Sequence, residues 1–212
     1  PCLDRGPVQL DADICTFNLF GRGMRTVVDV GLGESTPDWS PDGRDILFDG
    51  PSRQFPAGIS DIQTYDVAAR ATHNLTNTPL IHEIGARWSP DGERIAYTQW
   101  HDRENNDVFV MDRDGTNRRQ LTHHPGIDAA PRWSQDGRTI LFMSDRAPAP
   151  HISLYLMNED GSNQRRLTRR DDAQDTRPGW VVMSHYTPEF LRPLSVSPRG
   201  GASVTWGGIK RN

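Results

Sequence analysis

Cysteine is scarce in this 212-residue chain: Cys2 and Cys15, both near its start, are the only two. Either they pair, which would tie down the terminal segment and imply an oxidising compartment, or they stand as two thiols with Cys15 buried on a strand; spacing alone decides neither. Apolar residues are also few, at 34%, and no stretch approaches the apolar length that a membrane span needs. A basic excess is missing, since 24 basic and 28 acidic residues leave a net charge of −4, which argues against a nucleic-acid partner. No segment shows a helical period, which excludes helical solenoids. No Gly-x-Ser-x-Gly elbow marks a hydrolase nucleophile, and no His-x-Glu-x-x-His or Cys-x-x-Cys spacing marks a metal centre. The chain starts at Pro1 without an initiator Met or a signal peptide, so a processed or truncated start is expected.

What is abundant is glycine (19) and proline (16), the residues of many short elements joined by many turns. They fall into a repeat. Trp39-Ser40-Pro41-Asp42-Gly43-Arg44 recurs as Trp88-Ser89-Pro90-Asp91-Gly92-Glu93 and as Trp133-Ser134-Gln135-Asp136-Gly137-Arg138, and Pro178-Gly179-Trp180 echoes Pro131-Arg132-Trp133. The Trp spacings are 49, 45 and 47 residues. A second marker, Asn74-Leu75-Thr76, Gln120-Leu121-Thr122 and Arg166-Leu167-Thr168, keeps a spacing of 46. Two markers sharing one period predict a repeated structural unit.

Each unit reads as four strands. The first ends at the Trp, and Pro-Asp-Gly makes a tight turn because Pro presets φ, Asp bonds local backbone and Gly supplies φ > 0. Strand two follows as Ile46-Leu47-Phe48, Ile95-Ala96-Tyr97 and Ile140-Leu141-Phe142, short apolar runs suited to burial between sheets. Strand three alternates, as in Asp107-Val108-Phe109-Val110-Met111-Asp112, and an Asp-Gly turn leads to a polar fourth strand carrying Leu-Thr. The expected fold is all-β: a β-propeller of four-stranded antiparallel blades, four to five in number, in a single domain over 1–212. Clear repeats span 34–76, 83–122 and 128–168; degenerate or partial blades span 8–28, 175–192 and 193–208. Asp13 to Asn18 matches strand three and Val27 falls where Leu121 does, while Val196 to Trp206 reads as a degraded first half. Joined, the two termini would close the ring and remove an open sheet edge.

The run Trp-Ser-Pro-Asp-Gly, an apolar strand, Asp-Val-Phe-Val-Met-Asp-x-Asp-Gly and Arg-x-Leu-Thr resembles the repeat of the TolB-type, WD-repeat-like propellers. The resemblance covers roughly residues 11–180 and implies a periplasmic or secreted protein. The same repeat occurs in protein-docking propellers, in gating propellers of prolyl peptidases and in some polysaccharide lyases, so it does not settle the activity. The chain departs from the family in carrying fewer repeats than six blades need, and an N-terminal domain ahead of the repeats is not expected within its 212 residues.

Five residues before each Trp stands an acid: Glu34, Glu83, Asp128 and Asp175. Equivalent positions fall on a ring about a propeller axis, where four carboxylates would repel one another unless hydrated or neutralised; an all-oxygen ring would suit calcium. The simpler expectation is that each acid binds backbone amides of its own blade. Of the seven histidines (His73, His82, His101, His123, His124, His151, His185), His82 and His123-His124 lie in connections that open on one face. Asp102-Arg103 and Asp145-Arg146 read as surface ion pairs. Arg118-Arg119, Arg165-Arg166 and Arg169-Arg170 read as a charged outer edge that resists aggregation. Trp39, Trp88, Trp133 and Trp180 read as core between blades, whereas Trp100, just past strand two, is the candidate exposed anchor.

The expected binding set at the channel mouth is therefore Glu34, Glu83, Asp128, Asp175, His82, His124 and Trp100, with no catalytic residue assigned. The expected function is a non-catalytic scaffold presenting loops to a protein, peptide or glycan. The alternatives are a polysaccharide lyase or hydrolase using the acids and histidines with a metal, and a structural protein that assembles into oligomers through blade edges. No cofactor is expected beyond a calcium or other divalent cation.

Overall fold

A computed structural model describes residues 2–3, 12–16, 25–28, 35–52, 58–101, 105–146 and 152–168. Every regular element among them is a strand. Three four-stranded antiparallel sheets follow one another: β4 (Ser35–Trp39), β5 (Asp45–Pro51), β6 (Ser60–Asp66) and β7 (Ala71–Asn74); β8 (His82–Trp88), β9 (Arg94–Trp100), β10 (Asn106–Asp112) and β11 (Arg119–Gln120); β12 (Asp128–Trp133), β13 (Thr139–Ser144), β14 (Ser153–Asn158) and β15 (Arg165–Arg166). A three-stranded sheet precedes them, with β1 (Cys2–Leu3), β2 (Ala12–Thr16) and β3 (Arg25–Val28) in sequence order. These are the all-β, four-stranded blades that the repeat predicts. The segments 175–192 and 193–208, with Trp180 and the expected closing strand, lie outside the described residues.

Each tight turn repeats the same hydrogen bonds. The Gly43 N–H donates to Ser40 O (2.9 Å), the Ser40 hydroxyl to Asp42 Oδ1 (2.7 Å), and the Arg44 N–H to that same oxygen (3.1 Å). Ser89–Asp91 and Ser134–Asp136 repeat the pattern, and Gly43, Gly92 and Gly137 all stand at φ near +70°. The Leu-Thr marker also has one structural meaning. Leu75, Leu121 and Leu167 donate backbone N–H to Ile62, Val108 and Leu154, and the hydroxyls of Thr76, Thr122 and Thr168 accept the N–H of those same residues. The threonine thereby extends a short outer strand by one ladder step.

Strand two of the first and second blades is buried on both faces because each of these two sheets packs between two others. Ile46 and Phe48 face Ile14 and Val28 of the first sheet, whereas Leu47 faces Trp88 of the next. Ile95 and Tyr97 meet Leu47 and Ile62; Ala96 meets Trp133. Each such Ile, Leu or Phe side chain contributes about 1.5–3 kcal/mol on burial. At the first sheet Val28 pairs with Ile14, one residue later than the repeat register places Val27, because a bulge falls between Ile14 and Cys15. Cys15 is disulfide-bonded.

Trp39 corrects one expectation. Trp88 and Trp133 are 4% and 2% exposed, but Trp39 is 51% exposed. Trp88 lies against strands two and three of the sheet before it, whereas the first sheet turns Ile14 and Val28 toward Ile46, Phe48 and Tyr65 instead.

The inner strand of every blade carries a β-bulge three residues before its Trp, at Thr36, Gly85 and Ala130, all with φ between 50° and 69°. Beyond shaping the strand, the bulge turns a backbone amide toward the neighbouring blade. Gly85 N–H donates to Asp49 Oδ1 and Ala130 N–H to Thr98 Oγ1, each at 3.0 Å.

Candidate functional site

The antiparallel order sends the connections from strand two to three, and from strand four to the next blade, to one end of the inner strands; the Pro-Asp-Gly turns lie at the other. The turn end is tied by charge. Arg113 of the second blade donates to Asp42 (3.0 Å) and Asp45 (2.5 Å) of the first and lies over Trp88; Arg94 pairs with Glu159 of the third blade (2.6 Å) and lies over Trp133.

Exposed apolar side chains stand at both ends: Trp39 and Val67, 51% and 38% exposed, at the turn end, and a further set at the long-loop end. Leu80 and Ile152, from two connections, and Trp100, at the end of β9, are 74%, 40% and 37% exposed. The His82 ring sits 5.3 Å from Trp100, and His82 Nδ1 accepts the Ser60 N–H (3.3 Å), fixing the imidazole between two blades. His124 Nδ1 accepts the Gly126 N–H (3.0 Å), and His101 Nε2 meets Asp107 Oδ2 (3.2 Å).

Beneath this end lie two junctions of matching design. Between blades two and three, Asp107 and Asp128 are buried. The Arg146 guanidinium grips both oxygens of Asp128 through Nε and Nη2, donates to Gln164 Oε1 (2.6 Å), and lies on the rings of Phe142 and Tyr155. Burial pushes the Asp107 carboxyl up, opposed by the Thr122 hydroxyl and His101. Between blades one and two, Asp61 and Glu83 hold the equivalent places, both fully buried. Burial likewise pushes Glu83 above its ordinary 4.5, against the pull of the Thr76 and Thr78 hydroxyls and of Arg118; Asp61 adds to the rise. Tyr97 is pushed well up by its burial and by Glu83.

Of the expected set, Glu34 and Asp175 lie outside the described residues, as do Asp102, Arg103, Arg169 and Arg170. His82, His124 and Trp100 share the long-loop end. Glu83 and Asp128 sit below it at separate junctions, with no solvent access. Among the described residues no three of His, Cys, Asp and Glu gather as a metal centre would need. Arg146 is no surface partner of Asp145: it pairs with Asp128, and Asp145 Oδ1 accepts the Ile127 N–H (2.7 Å). Arg118 and Arg119 reach into neighbouring blades, to Leu75 O, Thr76 O and Asp160 O, rather than lining an outer edge.

Three further residues belong to no motif of their own, although the repeat register marks them. Asp38, Arg87 and Arg132 each precede the repeat Trp and gather on adjacent inner strands. Burial and the neighbouring Arg87 charge hold Arg132 down to about 10, with Asp38 opposing. Leu80 and Ile152 were missed because a single exposed aliphatic carries no sequence signal.

A family model described as the TolB beta propeller domain matches residues 11–185. The Tol-Pal system protein TolB of Anaeromyxobacter dehalogenans (strain 2CP-C) is 40% identical over 100 residues, 46% of this chain and 21% of that protein, so the match spans about a fifth of the relative. The crystal structure of TolB from Acinetobacter baumannii superposes with a TM-score of 0.61 at 22% identity, covering 72% of this chain and 36% of that one. An oligogalacturonate lyase in complex with manganese superposes with a TM-score of 0.57 at 18% identity, covering 74% and 42%. At such identities the two structures show a shared fold.

Proposed function

This chain belongs to the TolB beta propeller domain family, and from that premise we propose that it is a binding module whose long-loop end docks a protein partner and performs no chemistry of its own. The observation that carries this reading is the exposed set Leu80, Trp100 and Ile152, contributed by three blades to one end. A large aromatic held in place by a neighbouring ring is what interface hot spots use, and His82 holds Trp100 in that way. The opposite end is tied by ion pairs between blades and also exposes Trp39 and Val67, so the docking role is assigned to the long-loop end on the ring-held Trp100. The disulfide at Cys15 and the Tol-Pal name of the relative support a periplasmic or secreted location. Among the described residues no helix is long and apolar enough to cross a membrane.

The test uses purified Pal, the other component named in the relative's system, as first probe. Trp100→Ala and Leu80→Asp are expected to weaken binding about tenfold or more while leaving thermal unfolding unchanged; Val67→Asp, at the turn end, is expected to leave both unchanged. Binding that ignores Trp100 and Leu80 would remove the docking role from this end. The lyase reading rests on the fold neighbour alone, and turnover of an oligogalacturonate by the purified chain would establish it in place of the scaffold reading.

A further inference from the structure

The two carboxylate junctions are built alike and neutralised differently. At the Asp107–Asp128 junction a guanidinium fills the space beside the acid, flanked by Phe142 and Tyr155. In the second blade the register puts Glu83 in place of Asp128, Tyr97 in place of Phe142, Phe109 in place of Tyr155 and His101 in place of Arg146. The ring pair is preserved, at 5.7 Å in both blades. The cation is not, because His101 turns to Asp107 instead.

Four oxygens are left over. Both Glu83 carboxylate oxygens, Asp61 Oδ1 and the Tyr97 hydroxyl are sealed from solvent without a hydrogen bond of good geometry, although the hydroxyls of Thr76 and Thr78 stand near Glu83. Asp61 Oδ2 alone is satisfied, by Asn74 Nδ2 (2.6 Å). Arg118 is the nearest positive charge, but its guanidinium is committed to Gly115 O, Leu75 O, Thr76 O and Thr78 Oγ1. Among the described residues no cationic side chain comes within ion-pair distance of Glu83 or Asp61. Two unpaired buried acids side by side are costly. The Tyr97 phenol adds a further kind of oxygen to the two carboxylates, a donor set that suits a hard cation accepting irregular geometry. The Thr76 and Thr78 hydroxyls are already bonded to the Ile62 N–H, Thr76 O and Arg118.

We propose that the junction of Glu83, Asp61 and Tyr97 binds a calcium-type cation, which does for Glu83 what the Arg146 guanidinium does for Asp128. Sealed oxygens favour an inorganic ion over a partner's arginine, which would need an open slot. The site lies between two blades, so its occupancy would clamp one to the next.

Terbium titration of the full chain, read by luminescence sensitised through Tyr97, tests this directly. Saturable binding of one ion, displaced by calcium with a dissociation constant of about 10⁻⁴–10⁻³ M, is expected, together with a calcium-dependent rise in Tm. Glu83→Gln should abolish both and leave the calcium-free protein at least as stable as the parent. Asp61→Asn serves as the second variant if Glu83→Gln misfolds, and should weaken binding about tenfold. Absence of saturable binding into the millimolar range, or equal binding by either variant, overturns the proposal and leaves a shared proton as what holds the two acids together.

Discussion

Arg146 reaches Asp128 inside a junction where the carboxylate has no solvent access, so removing the guanidinium strands a buried charge. Arg146→Ala is expected to cost about 3–5 kcal/mol in urea unfolding, and adding Asp128→Asn should recover much of it, since no charge is then left to solvate. The sequence marks Asp128 by its distance from Trp133, but Arg146 lies 18 residues further on and beside Asp145, so adjacency suggests the wrong pair. The turn aspartates were legible at once, and they set an acid limit. The Ser40 hydroxyl first, then the Arg44 N–H and Arg113, hold the Asp42 carboxyl far below its ordinary 3.8. At Asp136 the Ser134 hydroxyl and Arg138 N–H act in the same direction. A carboxyl whose folded value lies below its unfolded one binds its proton more weakly in the native state. Its contribution is therefore present above about pH 3.8 and is lost as pH falls toward the folded value. Stability measured against pH should decline below that point, and less steeply in a Ser40→Ala, Ser134→Ala double variant.

Among the elements, the hairpin between strands three and four locks successive blades through a glycine. A Cβ on Gly115 would stand 2.6 Å from Leu75 O, and one on Gly161 2.9 Å from Leu121 O, with φ at +84° and +86°. Gly115→Ala and Gly161→Ala should each destabilise by about 2 kcal/mol or more, read by thermal unfolding, because the obstacle is backbone and cannot swing aside. The order of strands was legible throughout, since turn chemistry and period-two patterning are local. Which Trp would be buried was not. Trp39, Trp88 and Trp133 share a motif, and their different exposure comes from the sheet on the far side of each. The long-loop end was legible only through Trp100 and the histidines, because the aliphatics at that end come from connections far apart in sequence.

At the scale of the molecule, one junction is repeated: second strand against inner strand, hairpin glycine against Leu-Thr carbonyl, bulge amide against the blade before. The donor in that last contact is backbone, at a glycine in the second blade and an alanine in the third. The acceptor is a side chain, Asp49 in one blade and Thr98 in the next. A blade copied by gene duplication therefore arrives with its connector already made, whatever residue stands at the bulge, and needs only an oxygen on the second strand of its new neighbour. Mutational drift on one side of such a seam is limited only by the backbone angle of the bulge, and on the other by the need for an oxygen.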